Sequence, residues 1–131
     1  MNARYEAWMD KAEDDLQFAE IGLREGFHAQ VCFLSQQSIE KSLKGALVFL
    51  GKAYPKTHSL RELSSLFSEL NLRKWKEMLS VIDGYYIPLR YPDAAPGMKA
   101  SGPPNKQEAK EALSTAQEIF EAVTEYISKK K

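Results

Sequence analysis

The feature that most restricts what this chain can become is the helical recurrence of its apolar residues. Tyr5, Trp8, Met9, Ala12, Leu16, Ala19 and Leu23 follow one another at steps of three and four, while Glu13, Asp14 and Gln17 face the other way. Such a stripe marks an amphipathic helix from about Ala3 to Glu25, with Gly26 as its stop. A second helix is expected from about His28 to Leu50, closed by Gly51, with Cys32, Ile39, Leu43, Leu47 and Leu50 as its main stripe. A last helix follows Asn105 and runs to about Ile127, its inner face carrying Ala109, Ala112, Leu113, Ala116, Phe120, Val123 and Ile127. No segment alternates with period two, so strands have no support. The expected fold class is all-α, an up-and-down antiparallel bundle of four to five helices.

Shorter elements fill the middle. Ser59 with Glu62 three residues on is a capping-box pattern, and it opens a third helix through Leu60, Leu63, Leu66, Phe67 and Leu70. Asn71 should break that helix and cap a fourth, from Leu72 to about Tyr86, carrying Trp75, Leu79 and Ile82. Residues 87–105 hold Pro88, Pro92, Pro96, Pro103 and Pro104, which exclude regular structure, and a loop of that length in a small domain is usually functional. Asn105 and Glu108 repeat the capping-box spacing. The closing Lys129–Lys131 reads as a frayed basic tail.

At 131 residues the chain should form one domain with a real core. Eighteen cations balance eighteen anions, which argues against nucleic-acid binding by bulk charge, though not against a local basic patch. Cys32 is the one cysteine. It excludes an intrachain disulfide or a Cys-rich zinc site and reads as a small buried hydrophobe. No metal site or cofactor is expected. The start of the chain has no apolar signal-peptide core, and no apolar run reaches the ~18 residues of a membrane span. An intracellular, cytoplasmic protein without a membrane partner is the expectation.

Three stretches could carry chemistry. In "SQQSIEKSLKGAL", Gln36, Glu40 and Lys44 lie four residues apart and stack along one ridge beside the apolar stripe. They are solvated, form a buried network, or line a site. The same helix carries a row of small residues, Ser35, Ser38, Ser42 and Gly45, that admits a close helix from this chain or a partner. Of the two histidines, His28 reads as a surface residue near a helix start. His58 precedes a helix N-terminus, where free N–H groups favour an anion. In "GYYIPLRYPDAAPG", Tyr85, Tyr86 and Tyr91 surround Arg90, a grouping suited to a flat anionic ligand or a protein hot spot.

Together these stretches resemble the HEPN family of small helical domains. The resemblance runs through Trp8–Leu16, the QQxxEKxxK pattern of Gln36–Lys44, the THxL pattern of Thr57–Leu60, and Arg90-Tyr91-Pro92-Asp93. It implies a helical bundle that usually forms a homodimer. It also implies a link with nucleotides or RNA, often beside a minimal nucleotidyltransferase in toxin–antitoxin pairs. Many such domains are metal-independent ribonucleases marked by an arginine, then four to six intervening residues, then a histidine, on or near a late helix. Here the pattern departs, because no histidine follows His58, and only three residues separate Arg24 from His28, in the wrong helix. The expectation is therefore a non-catalytic module that binds a nucleotide-like ligand or partners a nucleotidyltransferase. In it Lys44, His58 and Arg90 meet phosphates, Gln36 and Glu40 orient them, and Tyr85, Tyr86 or Tyr91 stacks on a base. Two alternatives stand beside it: a ribonuclease toxin using His58 and Arg90 across a dimer, and a scaffold that dimerises through its small-residue face.

Overall fold

The computed structural model describes residues 3–86 and 102–131. Their regular elements are all helical: α1 (Ala3–Glu25), α2 (His28–Phe49), α3 (Leu60–Leu66), α4 (Lys76–Asp83), preceded by a 3-10 turn over Arg73–Trp75, and α5 (Lys106–Lys130). The long helices fall where the apolar stripes put them. Both predicted glycine stops adopt the left-handed conformation, Gly26 at φ 84° and Gly51 at φ 72°. At the first, the Phe27 N–H donates to the Gly22 carbonyl at 2.8 Å. That bond closes α1 and folds α2 back against it as an antiparallel hairpin.

Helix α2 is the centre of the molecule and packs against each of the other four helices. Ile39, Leu43 and Leu47 are fully buried, each worth about 1.5–3 kcal/mol of transfer energy. The row of small residues on α2 is used inside the chain, by α1. Ser38 Oγ donates to the Ala12 carbonyl at 2.9 Å. A Cβ on Gly45 would stand 2.9 Å from Met9 Sδ and 3.1 Å from Trp8 Cβ. The face that the scaffold alternative assigned to a second copy is therefore already covered by α1. Small side chains there let the two backbones approach, and the antiparallel hairpin brings α1 to them first.

The shorter elements depart from expectation. Helix α3 ends at Leu66 rather than Leu70, because Phe67 leaves the helix (φ −105°, ψ 71°) to enter the core. Its ring meets Tyr126 of α5 edge-on at 5.3 Å. Asn71 is not the cap of a long fourth helix: its Oδ1 accepts from the Arg73 N–H at 3.0 Å just ahead of the 3-10 turn, whose N-cap is Leu72, and α4 follows with Trp75 as its N-cap. Trp75 in that turn donates to Glu118 of α5 at 2.8 Å. Helix α4 stops at Asp83, whose carboxylate accepts from Leu60 N at 2.7 Å and Arg61 N at 3.3 Å. The end of α4 thus holds the start of α3. Asn105 and Glu108 form the full capping box. Helix α5 runs on through Lys130, and Lys129 pairs with Glu125 at 2.9 Å. The expected frayed tail is mostly the last helical turn, where cations suit the negative end of the dipole.

Candidate functional site

The ridge of α2 is buried. Gln36 is fully enclosed, and Glu40 and Lys44 are 6% and 7% exposed. The α2–α3 connection is what covers them, as it turns at Gly51 and passes back over the helix. Gln36 Nε2 donates to the His58 carbonyl at 3.0 Å and to Glu40 Oε1 at 3.3 Å. Its own Oε1 accepts from Gln37 Nε2 at 2.6 Å. Both ends of the buried amide are satisfied, which removes the penalty of about 1–3 kcal/mol for an unpaired one.

Glu40 is the hub. Oε2 accepts from Lys44 Nζ at 2.9 Å, and His58 Nδ1 lies 3.1 Å and 3.2 Å from the two carboxylate oxygens. An ionised carboxylate only accepts, so His58 carries its proton on Nδ1. The remaining ring nitrogen, Nε2, is then the one available for other chemistry. Tyr86 stacks on the imidazole at 4.2 Å and 20°, and Phe33 lies nearly parallel to Tyr86 at 6.3 Å. Burial, and then the negative charge of Glu40, hold the Tyr86 phenol above its ordinary pKa. The His58 side chain remains 42% exposed. Behind it, Lys44 Nζ sits 5.7 Å from the Trp8 ring and 5.6 Å from the Tyr54 ring. Those rings meet edge to face at 5.9 Å. Asp83 closes the floor at the start of α3. Burial lifts its carboxyl above the ordinary range, with Glu40 adding to the effect and the two N–H bonds opposing it.

The structure thus brings together Gln36, Glu40, Lys44, His58 and Tyr86. Two expectations need correction. Lys44 does not present its ammonium to a phosphate, because that charge is committed to Glu40 and enclosed between two rings. Tyr85 cannot stack on a ligand, because it is 1% exposed and faces the core beside Cys32. Arg90 and Tyr91 lie outside the described residues. Three contributors escaped the sequence reading. Trp8 was absorbed into the α1 stripe, Phe33 sits three residues before Gln36 with no polar signal, and Tyr54 is a lone aromatic in a loop. Among the described residues no group of three or more His, Cys, Asp or Glu is placed to hold a metal.

This architecture, four helices around a central one with a buried polar ridge, defines an all-helical domain closed over its own charged network. The HEPN domain family matches residues 5–126, and the chain belongs to that family. Its fold is similar to the crystal structure of TT1696 from Thermus thermophilus, with TM-score 0.78 and 35% identity over 95% of this chain and 98% of that one. It is similar also to that of ST0689, described as an archaeal HEPN homologue, with TM-score 0.74 and 30% identity over 94% and 97% of the two chains. In sequence it is 23% identical over 140 residues, 98% of this chain and 92% of the other, to "Putative toxin MJ1304" of Methanocaldococcus jannaschii. Among the described residues no helix is long and apolar enough to cross a membrane.

Proposed function

We propose that this HEPN domain recognises a nucleotide-like ligand on the face built by His58, Tyr86 and Phe33. The observation that carries the reading is the fixed, half-exposed imidazole. Glu40 pins one nitrogen, Tyr86 stacks on one ring face, and 42% of the side chain still reaches solvent. A preset ring of this kind offers a phosphate a hydrogen-bond donor when protonated, and Tyr86 and Phe33 offer a base apolar surface. Arg90 and Tyr91 remain contributors by sequence alone. The toxin name of the M. jannaschii relative supports a toxin–antitoxin context. In that context the chain works as a homodimer or beside a minimal nucleotidyltransferase.

The test is thermal unfolding with a panel of nucleoside mono-, di- and triphosphates. A ligand at ~100 times its Kd should add about 2.7 kcal/mol, a rise of several degrees in Tm. His58→Ala should lose that response. If no nucleotide moves the wild type, or His58→Ala responds equally, the reading fails.

One observation favours a second reading. A carboxylate holding Nδ1–H of an imidazole is the arrangement that readies Nε2 to take or give a proton. In that reading Glu40 and His58 serve an RNA-cleaving toxin. Incubation of the pure protein with RNA in the presence of a chelator decides it. Cleavage lost in His58→Ala supports the enzyme, and intact RNA removes it.

A further inference from the structure

We propose that the cleft between α3 and α4 binds a small amphiphilic carboxylate, an apolar body carrying a single negative charge. This goes beyond the reading of His58 and does not depend on it. The cleft encloses about 890 Å³, within the range of about 300–1,000 Å³ usual for small-molecule sites. Its shape follows from Phe67. By leaving α3 for the core, that residue ends the helix after 7 residues, and the chain returns through Leu70 and Leu72 to α4 on the far side. Phe67, Leu72 and Leu79, all buried, give the cleft an apolar floor. Lys76, Leu79, Ser80 and Asp83 stand three and four apart, so one face of α4 makes a wall. On the α3 wall, Ser64 Oγ and Ser65 Oγ donate to the carbonyls of Arg61 and Glu62 at 2.9 Å and 2.7 Å. Those hydroxyl protons are used within the helix, so this wall is less polar than its sequence.

Charge selects the ligand. The charged residues lining the cleft are Arg61, Arg73, Lys76, Glu62 and Asp83. Asp83 is already engaged: its carboxylate accepts from the N–H groups of Leu60 and Arg61, and the Arg61 charge faces it. That leaves Arg73 and Lys76 against Glu62, two cations to one anion. Arg73 and Lys76 are exposed, and among the described residues neither is ion-paired. One negative charge balances the cleft. A phosphate dianion or a polyphosphate overshoots it and meets Glu62, and a neutral ligand leaves the surplus cation unanswered. A carboxylate also matches the planar fork of an arginine with two N–H bonds, while the floor receives its apolar body.

Titration of the full nitrogen-15-labelled chain with 4-phenylbutyrate, followed by amide chemical shifts, tests this. The shifts should centre on Arg61, Ser65, Arg73 and Ser80 and saturate with a Kd of about 1 mM or tighter, the scale open to a ligand of about twelve heavy atoms. The neutral 4-phenylbutanamide should bind at least fivefold more weakly, and phenyl phosphate no more tightly than the carboxylate. Arg73→Gln/Lys76→Gln should weaken binding at least fivefold. Ser80→Phe, a change at an exposed position of α4 that fills the cleft, should weaken it at least tenfold. Arg4→Gln/Lys11→Gln removes the same charge from exposed positions of α1 and should change affinity less than twofold. The proposal is overturned if no saturable shift develops, if the amide binds as well as the acid, or if the two double variants lose equally. Tighter binding of phenyl phosphate would assign the cleft to phosphate dianions, and shifts centred on His58 and Tyr86 would move the carboxylate to the other face; either result overturns it as well. None of these outcomes bears on the nucleotide response at His58.

Discussion

Replacing Lys44 by Met is the sharpest perturbation of the ridge. The side chains are similar in length, so the hole between Trp8 and Tyr54 stays filled while the ammonium disappears. Glu40 is then left 6% exposed with the Gln36 amide and the His58 N–H but no full cation. A unit charge pair at 2.9 Å attracts by about 6 kcal/mol at an effective dielectric near 20. Desolvation of the ammonium offsets part of that, and stranding one member of a buried pair costs about 3–5 kcal/mol. Domains of this size have total stabilities of about 5–15 kcal/mol, so the loss should be plain in urea unfolding followed by circular dichroism at pH 8. Glu40→Gln/Lys44→Met removes both charges and should recover more than half of the loss at pH 8. A cost under ~1 kcal/mol for Lys44→Met at pH 8, the range of a solvated pair, would refute the buried-hub reasoning.

Three further outcomes follow from the packing. Burial raises the Tyr85 phenol well beyond its ordinary pKa of 10.0, so the native state keeps a proton that the unfolded chain releases above pH ~10. Its share of stability falls by about 1.4 kcal/mol per pH unit there, and urea unfolding of Tyr85→Phe between pH 9 and 11 should show a shallower decline than the wild type. Gly45→Ala gains up to about 1 kcal/mol of helix propensity, but its Cβ would press on Trp8 Cβ at 3.1 Å and Met9 Sδ at 2.9 Å. Overpacking of about 1–3 kcal/mol should win, giving a lower Tm that falls further in Gly45→Val. Asn105→Ala removes one half of the α5 capping box and should cost about 1 kcal/mol in denaturant unfolding.

Much of the fold was legible because helical stripes and glycine stops are local. The hairpin of α1 and α2 needs only the Tyr5–Leu23 stripe, the Cys32–Leu50 stripe and the left-handed Gly26 between them. The short elements were read less well. Phe67 looked like one more helical apolar residue, and only the space beside Tyr126 explains why it leaves α3. Lys129 and Lys130 looked like tail because polar residues carry no stripe, yet the pairing of Lys129 with Glu125 continues the helix.

The sequence by itself determined that Gln36, Glu40 and Lys44 share one ridge, since residues four apart on a helix must. It could not determine whether that ridge met water, because burial depends on what crosses over it. The α2–α3 connection decided that, laying His58 over Glu40 and Tyr54 beside Lys44 from 14 and 10 positions further along the chain respectively, counted from Lys44. The same crossing fixed the roles. It drew the Lys44 charge inward to Glu40 and left His58 half in solvent. The hydrogen-bond geometry of Glu40 then set which nitrogen of His58 stays free. Contacts of that kind depend on how separate segments meet in space, and no local pattern encodes them.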